Sequence, residues 1–418
     1  MYKAPRGTID ILPAEQKYYR YIEEKAADIC RLYSYERIDT PVFEDSGLFV
    51  RTIGSGTDIV EKEMYTFEDR GGQSMTLRPE GTAPICRAYL EHGMHNLPQP
   101  VRLYYLASIF RYERPQKGRY RQHQQFGVEA IGDGDAALDA EVIEMAWRFF
   151  KSLGLRKFVI HLNSIGCRDC RPAYLEKLRD YYSEHVDKLC PDCKSRMKRN
   201  TLRLLDCKQP SCLELSQSAP QGERCLCPEC KQHFTNVARY LRLMKVPFQK
   251  DHRLVRGLDY YTRTVFEVQP KVEWGAQSAL GGGGRYDGLI EELGGKPTPA
   301  IGFAVGVDRI VMSLKEQRIR LSESPLRGLF VAYAGDEAKA AAVRFAAELR
   351  RNGLLVYSSF GRGSLKSQLR QANTLGVEYT FIFGEDEIAN STVTYRDMET
   401  GEQWQVALEE VFELLAEG

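Results

Sequence analysis

Between residues 14 and 33 apolar and charged positions alternate at helical spacing, which predicts an amphipathic opening helix; the turn-forming DTP ending at Pro41 follows. From about residue 43 to 132 the period shortens. Runs such as MYTFED, SMTLR, VRLYYLASIFRYE and HQQFGVEAIG, separated by glycine, proline and charged turns, predict an antiparallel sheet. Helices are expected to interrupt it over 82–91 and 136–153. Sheet patterning returns at TRTVFEV and at PAIGFAVGVDRIVMSL, where a glycine-bounded apolar strand runs into a helix, so this body closes near Leu314. After the polar stretch KEQRIRLSESPLRG the chain reads as strand LFVAYAG, helix 337–351, strand LLVYSS, helix 364–375 and strand YTFIFG. That alternation is the signature of a small parallel or mixed sheet in a domain of its own. The expected division is a first body of 1–165, an insertion of 166–247, the rest of the body at 248–318, and a C-terminal α/β domain at 326–418.

The insertion is recognised by its composition. Nine of the eleven cysteines fall there, alongside the basic run KSRMKRNTLR. The first residues, MYKAPRGTIDILPAEQ, carry Lys3, Arg6 and Asp10 and no apolar signal core, so an odd number of cysteines predicts reduced thiols or metal ligands rather than a disulfide framework. Two CxxC knuckles, Cys190 with Cys193 and Cys227 with Cys230, each with proline in the turn, can together give tetrahedral four-thiolate ligation of a structural zinc ion. The 33 residues between them exceed a compact ribbon. Cys207, Cys212 and Cys225 in that gap could replace one ligand, Cys167 and Cys170 form a third knuckle, and a reduced, metal-free insertion is the alternative. No apolar run approaches the roughly 18 residues of a membrane span, so a cytoplasmic protein without membrane contact is expected.

Charge narrows the choice of partner. Lys plus Arg number 58 against 57 Asp plus Glu, so a polyanion must be held by a local basic patch rather than by a basic whole. FRYERPQKGRYRQHQQFGVEAIG supplies one: Arg111, Arg114, Lys117, Arg119 and Arg121 lie within eleven residues, with Glu113 the only acid among them. Like charges so crowded repel unless an anion relieves them, and guanidinium forks suit phosphates. On paired strands Arg111 and Glu113 share a face while the turn projects cations outward; a solvated basic hairpin is the plain alternative. TLRPEGTAP sets Glu80 ahead of Thr82 at a helix start, either to hold a cationic amine or to cap the helix. LVRGLDYYTRTVFEV brings Arg256, Asp259, Tyr260 and Tyr261 beside an apolar strand, and GGGGRYDGL sets Tyr286 after four glycines that suit close approach of a ligand. GFAVGVDRI puts Arg309 where a strand runs into a helix. A Walker-type nucleotide site is excluded, because no GxxxxGK[ST] occurs.

Taken in this order, the motifs resemble those of class II aminoacyl-tRNA synthetases, and among them the histidyl-tRNA synthetase family, over essentially the whole chain. RIDTPVFEDSGLFVRTIG is similar to motif 1 with its dimer-interface proline, here Pro41; FRYERPQKGRYRQHQQFGVE to motif 2; GFAVGVDR to motif 3. LVRGLDYY and GGRYDGL resemble the two signatures that set histidine enzymes apart. The resemblance implies an α+β fold, with an antiparallel class II catalytic sheet flanked by helices, the cysteine-rich insertion, and a C-terminal anticodon-binding domain. It implies that ATP, with Mg2+, activates L-histidine to histidyl-adenylate with release of pyrophosphate, and that histidine then passes to the 3′ end of tRNA(His). It also implies a homodimer.

Residue by residue, the resemblance makes Arg111 and Arg256 the catalytic pair: Arg111 grips the α-phosphate, and Arg256 stands where other class II enzymes use a metal ion. Arg119 and Arg309 take the β and γ phosphates, Glu113 belongs to the ATP site, and Phe126 stacks on adenine. Histidine is assigned to Glu80 and Thr82 at its amine and to Gln125, Glu129, Tyr260, Tyr261 and Tyr286 around the imidazole, with Arg256 at its carboxylate. Arg114, Gln116 and Arg121 face the tRNA acceptor end. Arg362, Lys366 and Arg370 in the C-terminal domain are either anticodon contacts or a solvated helix face. A non-catalytic relative, the regulatory subunit of the first enzyme of histidine biosynthesis, is the alternative; retention of Arg111, Arg119, Arg256, Arg309 and the C-terminal domain favours the synthetase.

Overall fold

The opening pattern folds as α1 (Pro13–Leu32), with proline in the first turn, where its missing N–H would have had no partner, and with Tyr19, Ile22, Ala26 and Ile29 as the buried stripe. The computed structural model describes residues 2–54, 57–271, 279–321, 328–361 and 363–417. They divide into two compact units, Met1–Leu321 and Ser322–Gly418.

In the first unit β1 (Glu36–Arg37) precedes a small antiparallel sheet of β2 (Phe43–Asp45), β3 (Tyr65–Glu68) and β4 (Ser74–Leu77), with β4 in the middle and α2 (Ser46–Ile53) after β2. The main sheet then builds from β5 (Val101–Phe110), β6 (Gln122–Ile131), β7 (Phe158–Ser164), β8 (Gln249–Lys250), β9 (Thr262–Pro270), β10 (Gly281–Arg285) and β11 (Ala300–Gly306). With β1 it has eight strands in the order β1-β5-β6-β11-β10-β9-β7-β8, antiparallel except for the parallel pairs at its two edges. Helices α3 (Thr82–Glu91), α4 (Ala136–Ser152), α9 (Leu289–Glu292) and α10 (Val307–Glu316) fill the connections, and the 166–247 segment carries α5 (Arg171–Ser183), α6 (Pro191–Arg199), α7 (Pro210–Gln217) and α8 (Pro228–Leu243).

Side chains alternate across a strand, so each face of this sheet collects a different set. Phe126 and Val128 of β6, with Phe266 and Phe303, pack against α1, α4, α8 and α10 in one core. On the opposite face Tyr105, Val265 and Tyr286 join residues of α3, α5 and α7 in a second core. The cysteine-rich segment is woven into both: Phe234, Val237 and Leu241 of α8 enter the first, Tyr174, Leu178 and Tyr182 of α5 the second. It belongs with the first unit and does not separate as a body of its own. A buried polar network ties its last helix down: Arg285 donates to Asp139 Oδ1 at 2.7 Å, and His233 Nε2 meets Asp139 Oδ2 at 2.8 Å, linking β10, α4 and α8. Arg285 is 0% exposed, so the arginine of GGRYDGL is a core residue.

The second unit contains β12 (Leu329–Tyr333), α11 (Asp336–Arg351), β13 (Val356–Ser358), α12 (Leu365–Leu375), β14 (Tyr379–Phe383), β15 (Thr392–Asp397) and β16 (Gln403–Ala407). Its sheet, β13-β12-β14-β15-β16, is parallel through β14 and antiparallel beyond, the mixed form of the expected βαβ domain. Phe345 and Ala346 of α11 cover one face with Phe381 and Phe383, while Ala372 of α12 covers the other with Phe330 and Ile382.

Candidate active site

Strand parity decides what faces the main cleft. On β6 the odd positions His123, Gln125 and Glu129 line an open cavity of about 1250 Å³ whose floor is the sheet face opposite α1 and α4. Ligand sites for one small molecule run to roughly 1,000 Å³, so this cleft has room for more than one. Glu80, Thr82, Arg111, Glu113, Arg119, Arg256, Tyr260, Tyr261, Tyr286 and Arg309 line the same cleft.

One end is cationic. Arg111 Nε donates to the Pro79 carbonyl at 2.7 Å, and Arg309 donates to the carbonyls of Gly118 at 3.0 Å and Ala279 at 2.7 Å, which fixes both stems. Glu113 lies between Arg111 and Arg119, pairing closely with the Arg119 Nε and standing 4.0 Å from Arg111 Nη1. Burial, followed by the fields of Arg119 and Arg111, holds the Arg309 guanidinium below its ordinary pKa. Three cations that disfavour one another in a shared pocket are an arrangement that an anion would relieve. Arg256 donates to Glu267 at 2.9 Å and lies over the Tyr261 ring at 5.7 Å. A Cβ on Gly282 would stand 2.6 Å from the Phe266 carbonyl oxygen and 2.7 Å from Arg256 Nη1, so the backbone of β9 requires glycine there and the guanidinium uses the space.

The other end is a buried polar pocket. Glu129 is enclosed and accepts from Thr82 Oγ1 at 2.7 Å and from the Tyr286 hydroxyl at 2.5 Å. Burial pushes its pKa up to about 8, with the Tyr286 and Thr82 hydrogen bonds opposing the shift and Glu80 adding to it. A Cβ on Gly302, its neighbour across the β6–β11 ladder, would fall 1.9 Å from Glu129 Oε2, so only glycine leaves space for this carboxyl. Gln125 accepts from Tyr105 Oη at 2.9 Å. Glu80 caps α3, accepting from the Thr82 and Ala83 amides at 2.7 and 2.8 Å, and Tyr260 Oη stands 3.4 Å from the same carboxylate. Capping and facing the cleft are therefore both true of Glu80.

The cysteine-rich segment closes the rim. Arg199 pairs with Glu61 at 2.7 Å, Arg196 and Arg203 approach Asp58 at 3.5 and 3.9 Å, and Asn200 donates to Asp259 at 2.7 Å. The basic run KSRMKRNTLR thus helps to line the cavity.

Two expectations are corrected. Phe126 is not a cleft residue: it is fully buried on the far face, its ring 4.9 Å from Phe149 and 5.9 Å from Phe303. An even position cannot share a face with Gln125 and Glu129, and the residue that does is His123, which the sequence reading missed. Burial, then Arg111 and Arg309, depress the His123 pKa to about 3, leaving a neutral imidazole. The alternation of β6 was the available signal. Second, Cys190 and Cys193 do not meet Cys227 and Cys230. The thiols assemble as Cys167, Cys170, Cys227 and Cys230 in one group and Cys190, Cys193, Cys207 and Cys212 in another. Of the turn residues, Arg114 and Gln116 are exposed, whereas Arg121 stacks on Tyr112 at 3.7 Å and donates to the Glu113 carbonyl at 3.3 Å. Lys366 and Arg370 are exposed on α12, and Arg362 lies outside the described residues.

Comparison with known proteins identifies the family. Residues 7–310 match the family model for histidyl-tRNA synthetase, and residues 328–418 match one for an anticodon binding domain. A histidine–tRNA ligase of Dehalococcoides mccartyi is 57% identical over 98% of both chains, and one of Pelotomaculum thermopropionicum is 49% identical over 99% of this chain and 97% of its own. The apo crystal structure of Staphylococcus aureus histidyl-tRNA synthetase superposes with a TM-score of 0.82 at 38% identity, covering 99% of each chain. Among the described residues, no helix is long and apolar enough to cross a membrane. With a cationic cleft beside a buried carboxyl pocket on an antiparallel sheet, and a family model covering most of its length, the chain belongs to the histidyl-tRNA synthetase family.

Proposed function

We propose that this chain is a histidine–tRNA ligase that first joins L-histidine to AMP and then transfers it to tRNA(His). The observation that carries the reading is the convergence of Arg111, Arg119, Arg256 and Arg309, from three separate stretches of sequence, on the cleft that also holds Glu129 and Tyr286. In the first step a histidine carboxylate oxygen attacks the α-phosphorus, the bond to the β-phosphate oxygen breaks, and pyrophosphate leaves. Two anions must meet, so the barrier falls when fixed cations neutralise both and hold them in line. Arg111 serves the α-phosphate, Arg119 and Arg309 the leaving phosphates, and Arg256 bridges carboxylate and α-phosphate. His123, not Phe126, offers its neutral ring to adenine, and Glu113 orders Arg111 and Arg119 before ATP arrives. Magnesium enters with ATP. Glu113 and Glu267 are carboxylates of the kind a hard cation takes, and the ion would add neutralising charge on the phosphates.

Glu129 receives an imidazole N–H, Tyr261, Tyr260, Tyr286 and Gln125 complete the polar pocket, and Glu80 and Thr82 meet the α-amine. A pocket that must satisfy a buried carboxyl rejects analogues lacking the N–H by roughly 10⁴-fold or more. In the second step a ribose hydroxyl at the tRNA 3′ end attacks the acyl carbon and AMP leaves; the exposed Arg114 and Gln116 and the nearby Arg121 meet the acceptor end. We assign 1–165 and 248–318 to the catalytic body, 166–247 to the insertion and 326–418 to anticodon binding, and place the protein in the cytoplasm. Near Pro41 the exposed rings of Phe43 and Phe67 stand 6.2 Å apart, apolar surface that suits a homodimer interface.

The decisive experiment is histidine-dependent exchange of pyrophosphate into ATP, followed by charging of tRNA(His) with labelled histidine. Both activities are expected. Absence of exchange in folded protein supplied with Mg2+ would return the chain to a regulatory role.

A further inference from the structure

We propose that the cysteine-rich segment holds two structural zinc ions, one on Cys167, Cys170, Cys227 and Cys230 and the other on Cys190, Cys193, Cys207 and Cys212. In each group the four Sγ atoms lie within 4.8 Å of one another. Tetrahedral ligation at a Zn–S distance of about 2.3 Å requires S···S edges of about 3.8 Å. Cys167 and Cys170 stand 3.7 Å apart, Cys167 and Cys227 4.0 Å, and Cys190 and Cys207 3.8 Å. A disulfide would need about 2.05 Å, and all of these cysteines are free thiols.

The surroundings suit thiolate. Backbone amides point at sulfur from Cys167 to Cys170 at 3.3 Å, from Cys230 to Cys227 at 3.5 Å, and from Cys190 to Cys212 at 3.3 Å. Cys190 and Cys227 occupy the N-caps of α6 and α8, where the helix dipole favours negative charge. Each group offers four sulfurs and no open position, the donor set of a structural site rather than a catalytic one.

Both sites would brace the cleft. The first ties the corner between β7 and α5 to α8 across 60 residues of sequence, and Arg171, next to Cys170, donates to the Tyr261 carbonyl. The second ties the start of α6 to the start of α7, and α6 carries the Arg196 and Arg199 that pair with Asp58 and Glu61 at the rim.

Metal content measured by plasma mass spectrometry on the full chain, purified reduced with zinc supplied, is expected to give two zinc ions per chain. Cys227→Ser and Cys207→Ser should each retain one, whereas a single mixed site on Cys190, Cys193, Cys227 and Cys230 would leave none in the first variant and one in the second. Apoprotein titrated with cobalt should take up two equivalents with the visible absorption of tetrahedral thiolate ligation. Zero or one zinc in the wild-type protein, or an octahedral cobalt spectrum, overturns the proposal. The wild-type measurements decide it even if a serine variant fails to fold. None of these readouts depends on aminoacylation, so they stand apart from the proposed reaction.

Discussion

Replacing Glu129 with glutamine should weaken histidine binding and strengthen the free protein, with the second effect growing as pH rises. The side chain is fully buried and held by two hydroxyls, Thr82 and Tyr286, each able to turn from donor to acceptor, so glutamine fits the same space with the same number of hydrogen bonds. Burial raises the carboxyl from 4.5 to about 8. Between those values the folded protein keeps a proton that the unfolded chain releases, so wild-type stability falls as pH climbs through the window and levels off above it. A shift of that size corresponds to something on the order of 4 kcal/mol at pH 8, and the neutral amide avoids it. Thermal melts of both proteins from pH 5 to 9 should coincide near pH 5 and separate in favour of Glu129→Gln by several degrees near pH 8. In pyrophosphate exchange above pH 8, where the carboxyl is ionised, the same variant loses a charge-assisted hydrogen bond worth about 1.5–3 kcal/mol, a rise of roughly 10- to 150-fold in the histidine KM with the ATP KM little changed. An unchanged histidine KM, or a melting difference independent of pH, would refute the assignment of this carboxyl.

Three further outcomes follow from the geometry. Arg256→Ala should lower the exchange rate by about 100-fold or more while the melting temperature stays near wild type, because the arginine donates into the cleft and not into a core; exchange at the wild-type rate would exclude it from the reacting groups. His123→Ala should raise the ATP KM by roughly 5- to 150-fold, the worth of one stacked base, whereas Phe126→Ala should act on stability, costing about 3–5 kcal/mol in denaturant unfolding of the first unit; a reversal of these two results would restore Phe126 to the adenine site. Arg285→Ala leaves the Asp139 carboxylate buried with only His233 against it and should cost about 3–5 kcal/mol, measured the same way, so a variant as stable as wild type would show that the network is slack.

Much of the molecule was legible because its signals are local. The period of 3.6 placed α1 and α3, alternation placed β5 and β6, and the switching of the two periods at the C-terminus announced a βαβ domain. Phe126 shows where reading by motif overran physics: the motif's aromatic was assigned by type, although alternation alone sets positions 125 and 129 on one face and 126 on the other. The cysteines were not legible in that way. A CxxC knuckle is local, but which knuckle meets which depends on how α5 to α8 fold back on β7, and that packing brings Cys167 to Cys227 while holding Cys190 beside Cys207 and Cys212. Glu80 posed a choice between capping a helix and facing a ligand that vanished once the start of α3 was seen to form part of the cleft wall.

What the sequence by itself determined was the kind of chemistry and the run of elements: guanidiniums, a carboxyl, tyrosines and glycine strands in an order that resembles one family, laid on periodicities that need only a few neighbouring residues to act. The tertiary structure alone decided which strands and helices bring those groups to one cleft, which arginine sinks into a core as Arg285 does, and which thiols assemble in fours. Those outcomes turn on contacts between residues 17 to 191 positions apart, and such contacts form only when whole helices and strands pack, a global balance of burial and fit that no short stretch of chain carries.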